Sequence, residues 1–346
     1  MEAIHHIAVL GGGSFGTAIA KVLSENGYSV RLWMRNPEQA ELIRNQRENP
    51  RYFPGVTLSP LIEPTTDIGW AIGGAELVFV ALPSKVFRSV IHDNAHFFEK
   101  GQMVVSLTKG IEREGFRLMS EVLQEELPGV LVGVLSGPNL AAELVAHELT
   151  ASVIASEDPG LRETVQNVLG NDYLRVYGNL DIYGVELGGA LKNIYAVVSG
   201  LAAARDMGEN TKSMLITRSL AEMSRFAVSM GANPMTFLGL SGVGDLIVTC
   251  TSSMSRNYRV GYAMGKGATL DEAVAEIGQV AEGVRTLELV HEKALEMGVY
   301  MPLVRGLYEV LYNGASIDDV VSALMKAAQN SDVEFILPRQ TAGAAI

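Results

Sequence analysis

Through roughly the first 160 residues, short apolar runs alternate with longer stretches in which apolar positions recur every three or four residues. The runs at 7–10, 29–34, 77–81, 103–107, 131–135 and 151–155 are predicted strands, and the segments between them are predicted helices. That alternation is the signature of βαβ units in a doubly wound, mainly parallel sheet. After about residue 180 the strand-like runs vanish, and long segments rich in Ala, Leu, Met and Glu predict an all-α C-terminal domain. The expected division is therefore residues 1–180 and 181–346. Charges gather in 44–51, which reads as a solvated surface connection, and the small residues 340–346 read as a frayed end. No repeat of solenoid period occurs.

Directly after the first predicted strand comes Gly11-Gly12-Gly13-Ser14-Phe15-Gly16, a G-x-G-x-x-G fingerprint that opens a predicted helix at 17–26. Gly11 permits the tight turn, Gly13 lets a pyrophosphate approach the backbone, and Gly16 lets helix and strand pack closely, while the helix N-terminus offers free amides. The α/β half is thus expected to be of the Rossmann type, binding a dinucleotide. An NAD-specific site places a carboxylate at the end of the second strand, but Met34-Arg35-Asn36 stands there. An arginine at that place accommodates a 2′-phosphate, so NADPH is the expected cofactor, with NADH as the alternative. Three further loops, Leu82-Pro83-Ser84, Thr108-Lys109-Gly110 and Ser136-Gly137-Pro138-Asn139, follow predicted strands, where open parallel sheets bind their ligands. Lys109 is the cation expected at the mouth of the cleft.

Charge narrows the partners. With 27 basic and 39 acidic residues the net charge is −12, a field that repels polyanions and excludes non-specific nucleic-acid binding. An anionic small ligand needs a local cationic cluster. The single Cys250 can form neither an internal disulfide nor a thiolate metal site, and no metal is expected. The N-terminus lacks the form of a secretory signal, so the cytoplasm is the expected location. The longest uncharged stretch, 226–244, holds Asn233-Pro234 and four glycines and is read as a helix end with loops, so no transmembrane segment is expected.

The candidate chemistry lies in the helical half. A proline-free pattern from 184 to 204 places Gly184, Gly188 and Lys192 at i, i+4 and i+8, on one helix face. Interior glycines cost about 1 kcal/mol each, so something approaches that face closely. A lysine continuing the stripe is partly desolvated, which lowers its pKa into the range of a general acid. Lys192 is the candidate proton donor, with Asn193 orienting the substrate or the lysine. In Gly242-Val243-Gly244-Asp245, the carboxylate needs a cationic partner, for which Lys192 is the natural choice, or else it caps the following segment; spacing leaves both open. The stretch 249–255 holds five hydroxyl residues and leads into Arg256-Asn257, donors suited to a phosphate. Glu282 faces either ribose hydroxyls or solvent.

Taken together, these motifs resemble the bacterial NAD(P)-dependent glycerol-3-phosphate dehydrogenases over nearly the whole chain. The residues that carry the resemblance are Gly11 to Ala18, Ser106-Leu107-Thr108-Lys109-Gly110-Ile111-Glu112, Ser136-Gly137-Pro138, Gly189-Ala190-Leu191-Lys192-Asn193, Gly242-Val243-Gly244-Asp245-Leu246 and Ser255-Arg256-Asn257. The resemblance implies reduction of dihydroxyacetone phosphate to sn-glycerol 3-phosphate, the backbone precursor of phospholipids, by a cytoplasmic homodimer. It assigns Ser14, Phe15, Arg35, Ala141, Val280 and Glu282 to the cofactor, and Lys109 and Arg256 to both cofactor and substrate. Gly137, Asn139, Asn193, Ser255 and Asn257 fall to the substrate, Lys192 to proton transfer and Asp245 to its support. The sequence departs from the family at Gly12, usually Ala or Ser, at Phe15, usually Trp, and at Asn139-Leu140, usually a small hydroxyl residue and Phe. Two other readings stand beside this one: a 3-hydroxyacid or ketopantoate-type reductase, whose substrate carries a carboxylate, and a redox-sensing dinucleotide module without turnover.

Overall fold

A computed structural model describes residues 4–277 and 281–326. Eight strands form one sheet: β1 (His6–Leu10), β2 (Ser29–Trp33), β3 (Ile62–Thr65), β4 (Leu77–Val80), β5 (Met103–Ser106), β8 (Leu131–Ser136), β9 (Thr150–Ala155) and β10 (Leu174–Asn179). Their order is β10-β9-β8-β5-β4-β1-β2-β3. The six strands from β3 to β8 are parallel and follow the Rossmann order, whereas β9 pairs antiparallel with β8 and parallel with β10. A separate hairpin, β6 (Ile111–Glu112) and β7 (Arg117–Leu118), leaves the carboxyl end of β5.

The helices α1 (Ser14–Glu25), α2 (Pro37–Gln46), α3 (Ile68–Ile72), α4 (Ser84–Asp93), α5 (Met119–Glu126), α6 (Ala141–Val145) and α7 (Pro159–Leu169) flank this sheet. The strands read as near-continuous apolar runs because both faces are covered: Ile7 and Val9 enter one core cluster, Ala8 and Leu10 the other.

Two strands and one orientation differ from the expected set. β3 escaped notice because Ile-Glu-Pro-Thr is short and carries a proline, which a sheet accepts on an edge strand. Its outward carbonyls are covered by guanidinium groups from the chain after β2, Arg44 Nη2 to Pro64 O at 2.8 Å and Arg47 Nη1 to Ile62 O at 3.0 Å. Segment 44–51 is therefore the end of α2 and an edge cover, not the solvated loop expected. β10 closes the opposite edge with only one buried face. The first helix begins at Ser14, three residues earlier than expected, directly on the fingerprint.

The helical half comprises α8 (Ile182–Ala204), α9 (Glu209–Ser229), α10 (Asp245–Thr251), α11 (Arg256–Gly265), α12 (Leu270–Ile277), α13 (Glu282–Met297), α14 (Pro302–Tyr312) and α15 (Ile317–Lys326). Among the described residues, α8 alone is long and apolar enough to cross a membrane, yet it is the buried axis around which α9, α10, α11 and α13 pack. A helix apolar all round belongs in such a place. The uncharged stretch 226–244 resolves into the end of α9, a short 3-10 helix (Pro234–Leu238) and a π turn (Leu240–Gly244).

The two halves share material. Ile111, Phe116 and Leu118 of the β6–β7 hairpin lie in the core of the helical half, where Phe116 meets Phe226 edge to face with ring centroids 5.8 Å apart. In the other direction, Glu186 of α8 reaches the first turn of α5 and accepts hydrogen bonds from the Ser120 amide at 3.1 Å and the Ser120 hydroxyl at 2.5 Å.

Candidate active site

The fingerprint turn has the form of an anion cradle. Gly11 has φ +128°, and a Cβ there would stand 2.4 Å from Ala81 O; one at Gly16 would stand 1.9 Å from Gly11 O. Neither position accepts a side chain. A Cβ at Gly13 would meet nothing within 4 Å, so the space above the turn is open to a ligand. The first turn of α1 holds no acidic residue, and its N-cap has no side-chain bond, which leaves its amides available to an anion. A residue unforeseen in the sequence holds this turn: buried Asn49 donates from Nδ2 to Gly12 O at 3.3 Å and to Thr17 Oγ1 at 2.9 Å. Gln39 Nε2 adds a second donor to Gly12 O at 2.5 Å. These two donors fix the Gly12 carbonyl at the base of the turn. Ser14 and Phe15 open α1, and Arg35 stands exposed just past β2.

Lys109 follows β5 by three residues. Thr108, beside it, is tied to the sheet by its hydroxyl bond to Leu82 O at 2.6 Å. The Lys109 ammonium then donates to Gly137 O at 3.1 Å, Asn139 Oδ1 at 2.9 Å and Asp245 Oδ2 at 3.0 Å. The first two acceptors belong to the loop after β8 and the third to the helical half, so this one cation bridges the crevice between them.

The glycine stripe on α8 has two causes. Gly184 sits under the capping carboxylate of Asp181, whereas a Cβ at Gly188 would stand 2.5 Å from Ser241 O in the π turn. Bare backbone at Gly188 lets the turn lie directly on α8. One helical turn later on α8 comes Lys192, and four residues after Ser241 comes Asp245, so the close approach brings the two side chains together. Lys192 Nζ donates to Asp245 Oδ1, and both groups are buried. Asp245 thus pairs with two lysines, and its side chain makes no N-cap bond to α10. Burial pushes the Lys192 pKa down to about 7 against the pull of the Asp245 carboxylate, and the nearby Lys109 charge pushes the same way.

A second cluster lies beside the first. Asn257 Nδ2 donates to Asn193 Oδ1 at 2.9 Å, and Asn257 Oδ1 accepts from the Gly283 amide at 2.9 Å, which staples the starts of α11 and α13 to α8. Ser255 is the N-cap of α11, its hydroxyl accepting from the Tyr258 amide at 3.3 Å, and Arg256 is the first residue of that helix. Of the other hydroxyls of the expected donor loop, Thr249 and Thr251 bond to carbonyls within α10, Ser252 accepts from the Met254 amide at 3.2 Å, and Ser253 is exposed. At the head of α13, Glu282 accepts from the Ser84 hydroxyl at 3.2 Å, across from the start of α4, and burial raises its pKa. Gly110 fits against this pair, since a Cβ there would lie 2.6 Å from Ser84 Cβ. Ala141 opens α6. Val280 lies outside the described residues.

Two family models match the chain: the NAD-dependent glycerol-3-phosphate dehydrogenase N-terminus over residues 6–162 and the C-terminus of the same family over 181–322. A glycerol-3-phosphate dehydrogenase [NAD(P)+] of Pseudomonas syringae is 60% identical over 330 residues, covering 95% of this chain and 96% of its own. Among solved structures, the glycerol-3-phosphate dehydrogenase of Coxiella burnetii superposes with TM-score 0.89 at 34% identity, over 94% of this chain and 99% of the other. A ketopantoate reductase from Ralstonia eutropha matches at TM-score 0.56 and 15% identity over 88% of this chain and 97% of its own, a likeness of fold alone.

Proposed function

The chain belongs to the NAD-dependent glycerol-3-phosphate dehydrogenase family, and from that premise we propose how its own residues carry the family's reaction. It is an NAD(P)-dependent oxidoreductase that interconverts dihydroxyacetone phosphate and sn-glycerol 3-phosphate. The observation that carries the residue assignment is the buried Lys192–Asp245–Lys109 group, set where the carboxyl ends of the sheet meet the helical half.

A dinucleotide bound on the fingerprint turn supplies the hydride. Gly11, Gly13 and Gly16 shape that turn, and Ser14 and Phe15 at the head of α1 complete the contact. Arg35, exposed past β2, takes a 2′-phosphate and favours NADPH over NADH. Ala141 and Glu282 line the remainder, and Arg256 serves both cofactor and substrate.

Lys192 gives its proton to the substrate oxygen as the ketone is reduced and takes it back in the reverse direction. A pKa lowered to about 7 suits both tasks near neutrality, because either protonation state is accessible. Asp245 holds the Lys192 nitrogen in place in both states. Lys109, Arg256, Asn257, Asn193 and Ser255 form the cationic and amide surface for the phosphate end, with Gly137 and Asn139 at its border. Binding the phosphate remotely orients the carbonyl towards the reacting atoms.

The reading extends to a cytoplasmic homodimer that supplies phospholipid synthesis. Its direct test is absorbance at the nicotinamide band, with NADPH and NADH each offered alongside dihydroxyacetone phosphate and ketopantoate. Oxidation with the phosphorylated ketone alone is expected, faster with NADPH. Turnover of ketopantoate in its place overturns the assignment.

A further inference from the structure

Resting on the reaction just assigned, we propose that Ser152 on β9 is a positioning residue for that reaction, acting through the Asn139 amide on the Lys109 ammonium.

The geometry begins at Gly137. With φ +123° and a Cβ site only 3.2 Å from Ser152 Cα, this residue lets the loop after β8 run directly against β9. The close approach sets Asn139 beside Ser152. Asn139 Nδ2 donates to Ser152 Oγ at 3.0 Å, while its Oδ1 accepts from Lys109 Nζ at 2.9 Å. Ser152 is 1% exposed and Asn139 5%, so solvent does not replace either bond.

An asparagine amide offers two donors at one end and only an acceptor at the other. Turned round, it would aim N–H groups at an ammonium, donor against donor. The ammonium, a donor only, selects the carbonyl end, and the Ser152 oxygen, accepting from Nδ2 on the far side, holds the amide in that orientation. Once the carbonyl end is selected, Asn139, Gly137 and Asp245 present three acceptors to the three hydrogens of Lys109, and the cation has one place to stand. Nothing in Ser152 touches the substrate surface; its effect travels as a fixed amide orientation from the reversed strand of the sheet to the catalytic lysine pair.

The consequence reaches Lys192. The groups that face its ammonium are Asp245 on α10 and Lys109 on the β5–β6 connection, with the Cys250 thiol of α10 also close enough to interact. Lys109 helps to hold the Lys192 pKa down. A Lys109 free to swing away relaxes that push, and the pH limb belonging to Lys192 moves upward.

The test is steady-state kinetics of the full chain, with dihydroxyacetone phosphate and NADPH, for Ser152→Ala, Asn139→Ala, the double variant and Ser152→Thr. Ser152→Ala is expected to lower kcat by about fivefold, the worth of one buried hydrogen bond, to leave KM for NADPH unchanged and to move the alkaline limb of reduction to higher pH. The double variant should be no worse than Asn139→Ala alone, since both break one path. Ser152→Thr, which keeps the hydroxyl, should recover most of the lost kcat. Should Ser152→Ala fail to fold, Asn139→Leu should show kcat down and the limb displaced, together with a rise in substrate KM because Lys109 also serves the phosphate end. Wild-type kcat and an unmoved limb in Ser152→Ala overturn the proposal, as do losses that multiply in the double variant. A change confined to substrate KM in Asn139→Leu also overturns it, in favour of direct substrate contact by Asn139. Failure of the unaltered protein to oxidise NADPH with dihydroxyacetone phosphate refutes the assigned reaction instead, and is read before any variant is made.

Discussion

Lys192→Ala should reduce turnover at least about 100-fold, the usual contribution of a placed general acid, while NADPH affinity, measured by fluorescence titration, stays near normal. The pH dependence has opposite signs in the two directions. Reduction needs the ammonium, so its kcat falls as pH rises through about 7; oxidation needs the free amine and gains over the same window. Profiles with the same slope in both directions would remove Lys192 from the proton transfer. Arg256→Ala should raise KM for dihydroxyacetone phosphate by roughly tenfold or more, the loss of a charge-assisted bond, with KM for NADPH changed less. Lys109, Lys192 and Asp245 were legible in the sequence because each sits where the chain's grammar singles it out: a strand end, a glycine stripe, a glycine-flanked carboxylate. Asn49, Ser152 and Glu186 were not. A polar side chain on an expected loop, strand or helix reads as surface until the partner that buries it is known, and those partners lie 32 to 66 positions away for Asn49 and Glu186.

At the level of elements, helix ends are joined by carboxylates from other helices. Glu186 of α8 serves the start of α5, and Glu222 of α9 accepts from the Leu303 and Val304 amides at the start of α14, at 2.7 and 3.3 Å. Burial raises both carboxyls to about 7. A pKa higher in the folded than in the unfolded chain means that the folded state binds more protons between about 4.5 and 7. The stability that each group contributes is thus complete below the unfolded value and is lost as pH rises through about 7. Thermal melts should show Tm declining across that window, and Glu186→Gln should flatten part of the decline. An unchanged slope would mean that Glu186 is ionised throughout. Parallel strands with apolar runs were readable from pattern alone, as was α8. The missed elements, β3 and β10, are the two sheet edges, where one-sided burial and polar positions weaken the apolar signal. The reversal of β9 is a matter of chain direction, which side-chain period does not encode.

Across the whole molecule, the β6–β7 hairpin ties the two halves together. It leaves the sheet two residues after Lys109, sends Phe116 into the helical core, and is tied outward by Arg113 to Glu288 at 2.9 Å and by Arg88 to Glu112 at 2.7 Å. Phe116 adopts φ +53°, an unusual backbone for a bulky residue, held by its burial against Phe226. Phe116→Ala should lower stability by about 3 kcal/mol in chemical denaturation, and kcat should fall with it, because the root of the hairpin carries Lys109. A loss of stability without loss of kcat would show that the hairpin is a brace alone. The change of texture near residue 180 was plain in the sequence, but nothing in a two-residue strand pair announces that it belongs to the core of the other half.

That hairpin also bears on modularity. A fragment beginning at residue 181 would lack Ile111, Phe116 and Leu118 from its own interior, and would open a hole where they pack. Such a fragment should remain molten when expressed alone and should order only when the missing hairpin is restored. By the same reasoning, recombination that paired this nucleotide-binding half with a foreign helical partner would succeed only if the graft kept that borrowed plug.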